Sequence, residues 1–456
     1  MDNHSVESKP KAMEVETYFG SGVGIPPVGL QTQEWHLSRV VIGHANNISV
    51  LMAGVAGIVW FPLFSYWGRA PVLFWSSLMG LLFTLGCALA PNFHTFYALR
   101  AFQTLTQAVG QTIGLAMIKD MFFLHEHARK IGIWYSIFIA SPLLGPLIGN
   151  FMIAGLGKWR PVFWLVVAWS GNVICLILVF GDESFYNRSS AHLHQQPERG
   201  THLFDRLERV VGIWQIRNHK GGYFPTLSRC CLSIFKVFLK PVIPLSMCVV
   251  ASTFMWSVGI NVSTAILLQS PVHEAGYGFD ARSTGFVYFA PVVGVVIGEI
   301  FGHFFNDFIA TRSARRHGGR FLPEVRLRAV YVGAAIMIPG LILVGQTLEH
   351  HLHWAGIVFG WGLVQVGILN ISVAMVTYVL DSYPNASGEV SALVNFARVG
   401  AGFSVGYFQQ AWGEKQGLDV SFGIQAALVA AAMGNVVILQ VYGASLRSWA
   451  GPVVQH

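Results

Sequence analysis

Apolar residues in this chain fall in long runs, each close to twenty positions, separated by short polar or Pro/Gly-containing stretches. About 20 such residues let a helix cross the hydrocarbon core of a bilayer. Eleven runs fit, at about 48–67, 72–90, 95–118, 131–155, 162–181, 241–268, 284–309, 327–347, 354–380, 390–410 and 422–443. Barrel strands would instead alternate apolar and polar residues over about ten positions, and that alternation is absent. The pattern predicts an all-α membrane protein. Ahead of the first run, TYFGSGVGIPPVGL at 17–30 is apolar but short, and it contains Pro26 and Pro27. At 1.5 Å per residue it covers about 21 Å of a ~30 Å core. It is expected to be an incomplete first helix, and the chain as written is expected to be unstable or inactive for lack of it.

Composition supports a bilayer setting: 53% of the residues are hydrophobic and 11% charged, against roughly 25% charged in a soluble protein. The formal charge of +7 does not point to nucleic acid, because Lys and Arg lie between the runs rather than along one face. The polar stretch 182–240 divides the runs into two groups. Loops on its side of the membrane carry nineteen Lys/Arg and the opposite loops four, Lys158, Arg160, Arg282 and Lys415. Positive residues stay in the cytoplasm, so this linker and the C-terminus are read as cytoplasmic. The expected organisation is a polar N-terminus with the short first helix (1–47), an N-terminal helical bundle (48–181), the linker (182–240), a C-terminal bundle (241–443) and a tail (444–456). The five cysteines lack metal-type or disulfide spacing, the N-terminus lacks the order of a signal peptide, and neither cofactor nor metal is expected.

The most specific motif is SPLLGPLIGNFM in the run 131–155. Ser141, Gly145 and Gly149 are four apart, so they line one helix face and allow close approach of a neighbour, while Pro146 removes an internal hydrogen bond. This run resembles the antiporter signature of the major facilitator superfamily, Gly-x-x-x-Gly-Pro-x-x-Gly-Gly, with Ser141 in place of its first glycine and Asn150 in place of its last. FPLFSYWGRAPV resembles the superfamily's loop between spans two and three through Gly68 and Arg69, with Ser65 where an acid is usual. LRAFQTLTQ resembles the fourth-span motif through Arg100 and Gln103. MFFLHEHARKIGIW, WRPVFWLV, DESFYNR, GHFFNDFIA and LDSYPNASGEVSALVNFAR are similar to a fungal branch of the drug:proton antiporter group, related to a yeast broad-range cation and polyamine transporter. The resemblance implies two six-helix bundles and proton-coupled transport of drugs, polyamines or metabolites. It leaves the substrate open.

Charge inside a bilayer costs several kcal/mol and persists for function or for a structural pair. Glu299 lies mid-run, with His303 and Asp307 four and eight residues on, along one helical face. It is the candidate proton carrier, with a structural ion pair as the alternative. Arg398 is expected either to serve the ion and substrate path or to pair with Asp381. Arg100 either reaches the interface or faces the cavity. Asp120 and Asp381 end corresponding runs of the two halves and are read as structural charge partners. Asn261, Trp256, Gln365 and Asn370 suit interhelical hydrogen bonding or substrate contact. Asn47 begins a glycosylation sequon read as lying near an outer loop.

The expected function is proton-coupled antiport of a small organic molecule by alternating access around a midplane site. Symport for uptake, or an inactive or sensor-type remnant, are the alternatives. A membrane enzyme is disfavoured because no loop gathers an acid–base dyad, a nucleophile triad or a phosphate loop. The partners are the small-molecule substrate, protons and the lipid bilayer. A monomer in the plasma membrane is expected.

Overall fold

The structure, a computed structural model, describes residues 28–121, 124–185, 202–219, 224–270, 276–316 and 323–451. The part of the short first segment before residue 28 lies outside them. A short helix α1 (Val28–Trp35) leads into α2 (Arg39–Trp67), α3 (Arg69–Leu89), α4 (Phe93–Gln107), α5 (Val109–Met121), α6 (Leu124–Leu156) and α7 (Arg160–Phe180). The linker forms α8 (Leu203–Val211), α9 (Ile213–His219) and α10 (Leu227–Phe238). The second half contains α11 (Val242–Gln269), α12 (Ala281–Val287), α13 (Phe289–Arg316), α14 (Leu327–Glu349), α15 (Ala355–Ser382), α16 (Ser387–Gln416) and α17 (Leu418–Ala450). Several of these helices outrun the apolar stretches that announce them, α2 by nine residues at its start and α17 by seven at its end.

Local chemistry places the ends. The Ser38 hydroxyl accepts from the Val41 amide at the start of α2, and the Asn92 side chain accepts from Thr95 at 2.9 Å at the start of α4. Both are N-cap arrangements that satisfy amides the helix cannot. Single glycines turn α2 into α3 and α16 into α17. Gly68 at φ 99° and Gly417 at φ 88° hold a backbone conformation that a side chain would strain.

Among the described residues, nine helical stretches are long and apolar enough to cross a membrane. The two expected spans not among them explain themselves. The span 95–118 is broken at Ala108 into α4 and α5, and the Trp60 indole donates to the Leu105 carbonyl at 2.8 Å just before that break. Helix α16 carries Glu389, Asn395, Arg398 and Gln409, all buried. These two spans keep their polar side chains on the inside of the molecule.

In the first half α3 packs on α4 and α7, and α2 on α4; in the second, α14 packs on α15 and α17, α11 on α16, and α13 on α15. Among the tightest of these contacts is α14 with α15, where four glycines meet in antiparallel pairs. A Cβ on Gly367 would lie 2.6 Å from the Gly333 carbonyl oxygen, and one on Gly340 2.8 Å from that of Gly360. Both pairs exploit a seven-residue spacing, two helical turns on each partner. The halves meet along α2 with α16 and along α6 with α12 and α13.

Candidate functional site between the halves

The α2–α16 seam is built from small residues. A Cβ on Gly54 would meet the Gly400 amide nitrogen at 3.3 Å, and one on Gly57 the Ala392 carbonyl at 3.2 Å. Asn395 of α16 donates to the Ala53 carbonyl of α2 at 3.3 Å, and its Oδ1 accepts from Arg398 Nη2 at 2.7 Å. Arg398 is 1% exposed. Its guanidinium lies 3.6 Å from the Phe138 ring centre and 4.8 Å from that of Phe254, and it reaches the Tyr135 hydroxyl at 3.4 Å. One side chain therefore links α16 to α6 and α11, next to the contact with α2. Aromatic faces hold a desolvated cation with about 2 kcal/mol or more each, which supports a charge at this depth.

Asp381 is not the partner of Arg398. It pairs with Arg326 at 2.6 Å, beside Arg447, which bonds Glu324 at 2.5 Å. One position past the end of its expected run, Asp381 sits where Arg326, at the start of α14, can reach it, away from the aromatic bed of Arg398. The side chain of Asp120 lies outside the described residues.

At the second seam, Glu299 of α13 is half-buried and its Oε2 lies in a short hydrogen bond with the Ser136 hydroxyl of α6. Ser136 also reaches the Gly132 carbonyl at 2.9 Å. A hydroxyl has one proton to give and can accept as well. Against an ionised Glu299 it donates to the carboxylate. When it donates to Gly132 instead, a protonated Glu299 donates to it. The same contact between halves can thus be held in either protonation state, with the direction of the bond reversed. Nothing in the sequence singled out Ser136. The side chains of His303 and Asp307, further along α13, lie outside the described residues.

On the side opposite the linker, Asn150 closes the same seam through Gln269 at 3.4 Å, and Phe151 stacks edge-on against Phe286 at 5.1 Å. In α6 the motif residues Ser141, Gly145, Pro146 and Gly149 are all buried. The Ser141 hydroxyl donates to the Phe138 carbonyl at 3.2 Å and the Asn150 amide to the Pro146 carbonyl at 2.8 Å.

Arg100 does not reach the interface: it is fully buried, donates to Gln103 Oε1 at 2.9 Å and faces Phe163 at 5.4 Å. Gln107 extends this polar core to Thr84 of α3 at 3.1 Å and Ser170 of α7 at 3.4 Å. Asn261 accepts from the Tyr288 hydroxyl at 2.6 Å, and Gln365 donates to Ser257 at 2.9 Å. The first ties α11 to the turn between α12 and α13, and the second ties α15 to α11.

The sequon reading of Asn47 fails. Asn47 lies inside α2, 6% exposed and packed against Gly406 of α16, so no loop presents it for glycan attachment. At the linker side, Gly68 and Arg69 meet a residue sequence reading passed over. Glu183, 3% exposed, accepts from the Arg69 amide at 3.0 Å, the Ala70 amide at 3.3 Å and the Gln215 side chain at 2.9 Å. A carboxylate at a helix N-terminus satisfies otherwise unbonded amides and complements the dipole. The Arg69 guanidinium stacks on Phe185 at 4.4 Å.

Residues 17–407 match the Major Facilitator Superfamily. The chain belongs to that superfamily. Its curated relatives include the efflux pump radE of Floropilus chiversii, 24% identical over 88% of this chain and 73% of that protein. The citrinin biosynthesis cluster MFS transporter mrr1 of Monascus ruber is 24% identical over 94% of this chain and 84% of that protein. The MFS transporter cpaT of Aspergillus oryzae is 25% identical over 94% and 85%. Among solved structures, the proton:xylose symporter XylE bound to 6-bromo-6-deoxy-D-glucose aligns over 96% of each chain with a TM-score of 0.65 at 15% identity, a likeness of fold alone. The chain is therefore a multi-pass, all-α major facilitator transporter, from a family that moves solutes rather than transforming them.

Proposed function

We propose that this major facilitator protein exports a small organic molecule, a drug-like compound, polyamine or secondary metabolite, in exchange for protons. The observation that carries the proposal is the Glu299–Ser136 bond across the two halves. A carboxyl placed on a surface that must part and re-form during alternating access links its protonation to that movement. Protonated, it donates to Ser136 while Ser136 donates to Gly132; ionised, it competes with Gly132 for the single hydroxyl proton. We assign His303 and Asp307, one and two turns on, to proton exchange with the linker side, and Arg100, Asn261 and Arg398 to the ion and substrate path. The α6 residues Ser141, Gly145, Pro146 and Gly149 form the gating face. The relatives named for efflux and for a biosynthetic cluster favour export. The protein acts as a monomer, at the plasma membrane, with its linker in the cytoplasm.

The test is made in proteoliposomes, with a ligand first selected by thermal stabilisation of the purified protein from drugs, polyamines and metabolites. A pH gradient should drive accumulation of that ligand by the wild type against the direction of proton flow. Glu299→Gln should abolish the driven flux while still exchanging labelled ligand between compartments of equal pH. Unchanged driven flux in that variant removes Glu299 from the mechanism, and ligand movement with the protons replaces antiport by symport.

A further inference from the structure

The linker helix α10 divides into three sectors around its axis. At about 100° per residue, Cys230, Ile234 and Val237 share one flank and are buried against the protein. The next arc, about 140° wide by the same count, holds Leu227, Cys231, Leu232, Phe235, Phe238 and Leu239, all exposed, with Phe235 at 58% and Leu239 at 63%. The third flank carries Arg229 and Lys236, both exposed, and no described residue bonds to either. Water is a poor medium for the second arc, because six large or apolar side chains lie contiguous along about three turns of helix. Elsewhere in the linker the same kind of surface recurs. Trp75 of α3, 38% exposed, donates its indole to the Val211 carbonyl of α8 at 3.0 Å, and α8 itself exposes Leu203 and Phe204. The apolar arc of α10 itself stands beside the linker-side ends of the spans α2, α11 and α16, on which the helix packs.

We propose that α10 lies in the plane of the linker-side leaflet, with its exposed apolar arc among acyl chains and Arg229 and Lys236 on the phosphates of anionic phospholipid. A helix with a protein face, an apolar face and a basic edge is built for the headgroup boundary, and Lys or Arg stems reach from there to phosphate. Anionic lipid is concentrated in the cytoplasmic leaflet, the side to which the charge distribution assigns the linker. The buried face of α10 packs on both α2 and α16, and Ser233 bonds Glu389 at the start of α16. Lipid that holds α10 therefore bears on both halves at the point where they meet.

The full chain, with Cys175→Ala and Cys248→Ala, is labelled with bimane at the exposed Cys231 and placed in phosphatidylcholine discs. Doxyl-labelled lipid should quench the label and iodide should not. Replacing part of the lipid by phosphatidylserine should raise the thermal unfolding midpoint, and inorganic phosphate should not. Arg229→Gln with Lys236→Gln should abolish that rise, with lipid affinity about fivefold weaker per charge removed, while its midpoint in phosphatidylcholine equals the wild type. The charge-keeping Arg229→Lys should retain the rise. Iodide quenching would place the arc in water, and failure of both quenchers would show it covered by protein or a second copy. A phosphatidylserine rise intact in the double variant would place the lipid elsewhere. Each of these overturns the proposal.

Discussion

Replacing Gly367 with alanine tests a tight backbone-to-backbone packing between two helices. The new methyl would lie 2.6 Å from the Gly333 carbonyl oxygen, 2.6 Å from Met337 Cβ and 2.9 Å from the Met337 amide nitrogen. Ordinary contact begins at 3.4 Å, so α14 and α15 would have to separate by about 0.8 Å, and a gap of that size forfeits roughly a quarter to a half of each dispersion contact along the seam. Two of the obstructing atoms are backbone, and no rotamer change removes them. Overpacking of this kind costs about 1–3 kcal/mol. At the middle of that range the folded-to-unfolded ratio falls roughly thirtyfold. The assay is thermal unfolding of the purified protein in detergent, beside Gly423→Ala, where nothing lies within 4 Å of the added carbon. Gly367→Ala should unfold several degrees lower, and Gly423→Ala should match the wild type or exceed it, since alanine favours helix. A Gly367→Ala midpoint equal to the wild type would refute the claim that backbone contact holds these helices.

Two further predictions follow from the linker side. Glu183→Ala should lower stability by about 2 kcal/mol, because two helix-start amides and the Gln215 side chain lose an acceptor; Glu183→Gln, which keeps one carbonyl oxygen, should fall between, as read by urea titration in mixed micelles. Asp381→Arg should cost about 0.5–1 kcal/mol, the worth of a partly exposed pair, and Arg326→Asp added to it should restore the midpoint if the two side chains meet only each other.

The spans were legible because a bilayer demands a length and a polarity that few other settings do. Even α4, α5 and α16, too broken or too polar for the same measure, could be found from their flanks. Asn47 was misplaced because a hydrophobic run marks where apolar character begins rather than where the helix does. Arg39 to Asn47 are helical despite His44, Asn46 and Asn47. Arg398 was recognised as a buried charge, but its aromatic bed comes from α6 and α11, and no spacing within α16 announces it. Glu183 and Ser136 stayed hidden for a similar reason. Their partners lie 114 and 163 residues away in sequence, and each residue is ordinary until the fold brings the partner beside it. The amphipathic linker helices are two to three turns long, too short for periodicity to separate them from loop.

The bond from Asn395 to the Ala53 carbonyl divides the α2–α16 seam unequally. Along α16 the close approaches run from Gly388, against Phe61, to Gly406, against Asn47. Asn395 stands seven residues from the first and eleven from the second, or about 10 Å and 16 Å at 1.5 Å per residue. Were the two halves to tilt about that bond as a fulcrum, the lever arms would differ. The same angle would part the helices about 1.6 times further at the mouth opposite the linker than at the mouth beside it, so one rocking angle gives two unequal apertures.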